Sequence, residues 1–123
     1  MPLLITLRRL PGRLVLALEG ELDLVSAPAL RERLDTVLAE HPEPDLDLDL
    51  DLTGVGFLDC AGARVIAEAL DRLEERGGRL TVLRPKPIAL HLLQLIGLAP
   101  ELRIVGATPY RDRTVRPDGG PRG

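Results

Sequence analysis

The chain is poor in aromatic residues: Phe57 and Tyr110 are the only two, and there is no tryptophan. Readers of single-stranded nucleic acid and of RNA stack bases on aromatic platforms, and none can be built from this inventory. An excess of basic residues is also absent. With 16 Lys+Arg against 19 Asp+Glu the net charge is −3, so no broad phosphate-binding surface is expected either. There is one cysteine, Cys60, which rules out an intramolecular disulfide and suits a reducing compartment. No apolar run approaches the length of a bilayer span, and Met1 to Leu10 lacks the apolar core and small-residue cleavage site of a secretory leader. A cytoplasmic location without direct membrane insertion is expected.

What is present is a chain of 123 residues, 45% of them hydrophobic, which suits one domain with its own core. Leu3 to Leu7 alternates loosely and reads as a strand, Pro11-Gly12 as a turn, and Arg13 to Glu19 as a second strand in an antiparallel hairpin. The second strand is apolar on both sides (Leu14, Leu16 and Leu18 with Val15 and Ala17 between them), which places it inside a sheet. Ser26 is the expected N-cap of a helix with Pro28 in its first turn and Leu30, Leu34, Val37 and Leu38 on one face. The Pro residues of His41-Pro42-Glu43-Pro44 stop it.

Asp45 to Leu52 alternates Asp and Leu without interruption, so it reads as a strand with Leu46, Leu48, Leu50 and Leu52 on one face. The aspartates line the other face, which is expected to be open to water because unpaired carboxylates are costly to bury. Gly54 to Asp59 reads as a loop. A helix from about Cys60 to Arg76 follows, with Val65, Ile66, Ala69, Leu70 and Leu73 as its apolar stripe and Glu68–Arg72 as an i,i+4 pair. Gly77-Gly78 closes it. Leu80 to Leu83 is a short strand. Pro85 and Pro87 open a third helix with Ile88, Leu92, Leu95 and Ile96 as its stripe, ended by Gly97, and Leu102 to Val105 is a last strand. Residues 1–107 are thus one domain. Residues 108–123, rich in Pro, Gly, Arg and Asp, are expected to be a disordered tail. The order β-β-α-β-α-β-α-β implies right-handed crossovers and a mixed sheet of four to five strands, with the Asp45–Leu52 strand central and the first strand antiparallel at an edge.

No catalytic set is visible, and no enzyme activity, cofactor or metal is expected. His41 and His91 lack partners at metal-ligand spacing and read as surface residues. Gly54-Val55-Gly56 precedes a helix, but Asp59 stands where the third glycine of a dinucleotide fingerprint would be and no Lys-Ser/Thr follows. Leu58 to Gly62 lies where a strand ends and a helix begins, the place where open α/β sheets gather their sites. Asp59 there reads as an N-cap. Cys60 reads as either a small packed residue or a thiol whose ionisation the helix favours and Asp59 opposes.

Gly20-Glu21-Leu22-Asp23, then Asp51-Leu52-Thr53-Gly54-Val55, Phe57-Leu58-Asp59-Cys60-Ala61-Gly62, Gly77-Gly78 and Gly97-Leu98 follow one another in an order that resembles the STAS domain of bacterial anti-sigma factor antagonists, over roughly residues 3 to 106. The resemblance implies a regulatory protein partner, an anti-sigma factor of the serine-kinase type, and partner switching that controls transcription. It also implies phosphorylation of a Ser or Thr just after the loop Asp. Here Asp59-Cys60-Ala61-Gly62 stands in place of Asp-Ser-x-Gly, so the acceptor position is Cys60 and no hydroxyl is available at 60 or 61. The contact surface the resemblance implies takes in Glu21 and Asp23, the loop Gly54 to Asp59 with Gly54, Gly56 and Asp59 foremost, and the helix start Cys60 to Arg64 with Cys60, Ala61, Gly62 and Arg64 foremost. The alternative for Asp23 is a helix-entry turn residue. A homodimer is compatible with this reading. The rival functions are an accessory STAS subunit of an ABC transporter or of a stress-signalling assembly, and a thiol switch or enzyme centred on Cys60.

Overall fold

The computed structural model describes residues 2–97 and 102–107. The elements run β1 (Leu4–Leu10), β2 (Arg13–Leu22), α1 (Ala27–Glu40), β3 (Asp47–Leu58), α2 (Cys60–Glu75), β4 (Arg79–Leu83), α3 (Pro87–Leu95) and β5 (Arg103–Val105). The five described strands are ordered β1-β2-β3-β4-β5, with β1 antiparallel to β2 and every other pair parallel. The expected mixed sheet, its central aspartate–leucine strand and its antiparallel edge strand are all present. The expected tail at 108–123 lies outside the described residues.

Leu14, Leu16 and Leu18 of β2, Leu48, Leu50 and Leu52 of β3, and Leu80 and Val82 of β4 share one face of the sheet. They form a single buried cluster with Leu30, Leu34, Val37 and Leu38 of α1 and Val65, Ile66, Ala69 and Leu73 of α2. The stripes read from period 3.6 on α1 and α2 are therefore the buried ones. The stripe expected on α3 is not. Ala89, Leu90 and Leu93 face the core, whereas Ile88, Leu95 and Ile96 are exposed. α3 carries no charged residue, so periodicity offers two apolar faces and only the neighbouring sheet decides between them.

Three further expectations are corrected. Gly54 to Leu58 is strand, not loop: β3 continues past Leu52 with two register shifts against β2, between Ala17 and Glu19 and between Gly20 and Glu21. Each shift inserts a residue in β3, which breaks the alternation that would have revealed the strand. Gly54 sits so close to β2 that a Cβ would lie 2.7 Å from Glu19 Cγ and 2.9 Å from Leu18 O. Glu68 and Arg72 do not pair with each other. Arg31 Nε donates to Glu68 Oε2 at 2.8 Å and Arg72 bonds Asp35, so both tie α2 to α1. Ser26 occupies the N-cap position of α1 without capping it, because its hydroxyl donates to Glu21 O at 2.7 Å and accepts from Asp23 N at 2.9 Å.

The aspartate face is the largest correction. Asp49 is 3% and Asp51 8% exposed. No described helix covers this face. Arginines from neighbouring elements lie across it instead. Arg13 Nη1 donates to Asp49 Oδ2 at 3.1 Å, Arg84 Nη2 to Asp51 Oδ2 at 3.1 Å, and Arg8 lies 3.7 Å from Asp51. Their long side chains shield the carboxylates from water while pairing with them. The two histidines are half-buried rather than on the surface, and among the described residues Nε2 of His41 is buried without a hydrogen-bond partner.

Candidate functional site

At the carboxyl ends of β2 and β3 three segments meet: the turn Asp23–Ser26, the last residues of β3, and the first turn of α2. Asp59 joins them. It is the N-cap of α2, with extended backbone, and its Oδ1 accepts from Gly62 N at 3.0 Å. Its Oδ2 accepts from Leu24 N at 3.1 Å, and its own N–H donates to Leu22 O at 3.2 Å. One carboxylate thus satisfies an otherwise orphaned helix amide and fixes the turn beyond β2. The N-cap role and the positioning role belong to the same side chain.

Asp23 organises the turn itself. Its Oδ1 accepts from Val25 N and Ser26 N at 3.0 Å each, and from the Ser26 hydroxyl at 3.2 Å. The backbone bond from Ser26 leads the causes that hold its carboxyl below the usual aspartate range, against the opposing effect of burial. The carboxylate is therefore engaged within its own turn, as the helix-entry alternative supposed.

The turn that these two aspartates hold presents Leu24 and Val25 outward, 74% and 88% exposed, and Phe57, on the adjacent end of β3, is 50% exposed. Gly56 beside Phe57 is open, with no atom within 4 Å of a notional Cβ. Cys60 and Arg64 are exposed on α2, and Glu21, Asp23, Asp59 and Ala61 are half-buried. Two of the expected contact residues also have packing roles. Gly62 is buried, and a Cβ there would lie 2.6 Å from Leu22 O and 2.9 Å from Leu58 Cδ1, so it lets α2 approach the sheet. Gly54 has the equivalent tight contact with β2.

Sequence reasoning misses Leu24 and Val25, which sit in a turn outside any periodic pattern, whereas Phe57 falls inside the Gly54–Asp59 segment expected on the contact surface. A signal is available: Leu24-Val25 is an apolar pair inside a turn framed by Asp23 and Ser26, where burial is not expected. Among the described residues no group of His, Cys, Asp and Glu is arranged to hold a metal, and no helix is long and apolar enough to cross a membrane.

The sequence matches the profile of the STAS domain over residues 5–110, and the chain belongs to that family. Among solved structures it is similar to an anti-sigma factor antagonist from Mycobacterium paratuberculosis, with 29% identity and a TM-score of 0.73, covering 84% of this chain and 85% of that one. It also shares its fold with the Bacillus cell fate determinant SpoIIAA, solved in its phosphorylated form. That match has 22% identity and a TM-score of 0.64, and covers 82% of this chain and 90% of that one. A third fold match is the murine anion transporter Slc26a9, at 16% identity and a TM-score of 0.66, covering 82% of this chain and 17% of the transporter. No curated protein sequence matches the chain.

Proposed function

We propose that this chain is an anti-sigma factor antagonist, a cytoplasmic regulatory domain that binds an anti-sigma factor of the serine-kinase type and has no enzymatic activity, cofactor or nucleic-acid partner of its own. The observation that carries the reading is the exposure of Leu24 and Val25 on the turn that Asp59 ties to the start of α2, together with exposed Phe57 near the end of β3 and exposed Cys60 at the first position of α2. Apolar side chains held outward by a hydrogen-bonded turn suit a protein interface better than a small-molecule site. The Mycobacterium and Bacillus proteins support the partner class by their similarity.

Regulation differs from the family pattern. A phosphoserine adds nearly two negative charges at a docking surface and weakens binding there. With Cys60 and Ala61 in place of hydroxyl residues that brake is missing, and binding is constitutive with respect to the kinase. Incubation with a cognate anti-sigma kinase and ATP should leave residues 60 and 61 unmodified, while Cys60→Ser restores an acceptor. Cys60→Asp places a charge where the N-terminus of α2 tolerates it. It should weaken partner affinity about tenfold or more with an unchanged melting temperature. Equal affinities in two folded proteins would show that the start of α2 is not the contact surface. That result would favour the second reading, an accessory STAS subunit of an ABC transporter or stress-signalling assembly, which the missing hydroxyl also suits. Co-purification with a membrane ATPase rather than a soluble kinase separates the two.

A further inference from the structure

Among the described residues β1 is the outer strand at one edge of the sheet and pairs only with β2. The Pro11–Gly12 turn joins Leu10 to Arg13 across two residues, so this pair exchanges both of its backbone hydrogen bonds. In an antiparallel ladder that pattern repeats at every second residue. Leu10, Arg8, Thr6 and Leu4 therefore direct their N–H and C=O groups to β2, and Arg9, Leu7 and Ile5 direct theirs outward.

Natural edges are blunted by shortness, proline, bulges or charged side chains, and of these β1 carries charge alone, at Arg8, which is drawn toward Asp51, and at Arg9. β5, at the opposite edge, is three residues long. β1 runs for seven residues with no proline and no register shift against β2. Its two terminal leucines, Leu4 and Leu10, lie on the helix-free face and are 60% and 50% exposed.

We propose that β1 pairs antiparallel with β1 of a second copy about a two-fold axis at Leu7, making one continuous sheet across a homodimer. In this register Leu7 faces the partner's Leu7, and Ile5 and Arg9 face the partner's Arg9 and Ile5. All the outward N–H and C=O groups of the strand are then used, in about six hydrogen bonds. Leu4 meets the partner's Leu10 and Leu10 the partner's Leu4, which covers both exposed leucines with apolar partners. Arg8, which lies beside Asp51 of its own chain, faces the partner's Thr6. The neighbouring registers fit worse. A shift of two residues one way sets Arg8 directly against the partner's Arg8, and a shift the other way sets Leu4 against the partner's Arg8 and leaves Leu10 uncovered. The β1 edge shares no residue with the proposed docking surface, so the dimer stands or falls apart from that function.

Sedimentation velocity of the full chain from micromolar to millimolar concentration tests this. The wild type should self-associate to a dimer. Arg9→Pro removes an outward N–H without touching the β2 ladder, a position where an edge strand accepts proline. It should raise the dimer dissociation constant about tenfold or more at a melting temperature within a few degrees of wild type. Leu4→Glu and Leu10→Lys change exposed side chains, and each should weaken self-association on its own. Mixed together they should recover it, because the introduced carboxylate of one variant then faces the introduced ammonium of the other across the axis, while the remaining Leu4–Leu10 contact is kept. A wild type that stays monomeric throughout overturns the proposal. So does association that is indifferent to Arg9→Pro, or a mixture no more associated than its components.

Discussion

The two faces of β3 come from one uninterrupted alternation of Asp and Leu, yet they are buried by different means. Leu48, Leu50 and Leu52 are fully enclosed among the side chains of β2, β4 and the helices. Asp49 and Asp51 are nearly as inaccessible, but beneath arginine side chains that reach over from β2, from β1 and from beyond β4. Burial of the first kind is apolar contact and stabilises roughly in proportion to area. Burial of the second kind is a desolvation cost offset by pairing, with a net effect that depends on how many bonds each carboxylate finds. Asp51 and Asp49 differ in that number.

The difference between the faces is broken most strongly from the leucine side. Leu50→Ala leaves a cavity in the middle of the cluster and should destabilise by about 2–5 kcal/mol, read as a lower urea midpoint. A loss below about 1 kcal/mol would mean that the helix layer collapses onto the site and that the packing is looser than described.

Asp51 is the better partnered of the two carboxylates. Burial raises its pKa, but the Thr53 hydroxyl, the Thr53 N–H and Arg84 outweigh that, and the net effect holds it below the usual aspartate value. The Thr53 hydroxyl donates to its Oδ1 at 2.6 Å and Thr53 N at 3.0 Å. Arg84, whose backbone is in the left-handed region at φ 49°, bonds both Asp51 and the Thr53 hydroxyl. Asp51→Ala removes the group on which these donors converge and should cost about 1–3 kcal/mol at neutral pH. Because the folded pKa is depressed, this contribution is present above the ordinary aspartate value and lost as pH falls through the folded one. The gap between wild type and variant should therefore narrow in acid. A gap independent of pH would show that Asp51 acts by shape rather than charge.

Most of the fold was legible because it depends on local signals. Proline and glycine punctuate the elements, period 2 marks β2 and the first half of β3, and period 3.6 marks α1 and α2. What was not legible depends on neighbours that no single segment carries. Nothing within Asp45–Leu52 says that Arg8, Arg13 and Arg84 will cover the aspartates. Nothing within Pro87–Gly97 chooses between two apolar faces. The second half of β3 was hidden by its two inserted residues. At the candidate site the sequence pointed to Asp59 and Cys60, since a strand-to-helix junction is a local feature. It pointed to Phe57 only as part of the Gly54–Asp59 segment and not to Leu24 and Val25, whose exposure follows from how Asp23 and Asp59 hold the turn.

The smallest effect is expected at Asp49, and it carries the sharpest sign. Burial is the dominant influence on this carboxyl and raises its pKa above the usual value. Arg13 opposes that, Asp47 adds to it, and no backbone donor compensates as Thr53 does for Asp51. Between the ordinary aspartate pKa and the raised folded value, the native state holds more protons at this site than the unfolded chain does. Stability contributed by this group therefore falls as pH rises through that window, the reverse of the Asp51 profile. Asp49→Asn keeps the shape and an acceptor for Arg13 while removing the charge that is costly to bury. At neutral pH it should be neutral to slightly stabilising, within about 0.5 kcal/mol, and its advantage over wild type should fade as the pH is lowered through the window. Urea unfolding of both proteins at a series of pH values from mildly acidic to neutral measures the difference directly. A variant clearly less stable than wild type at neutral pH would show that the Arg13 pair outweighs desolvation, and that the two aspartates are held in the same way after all.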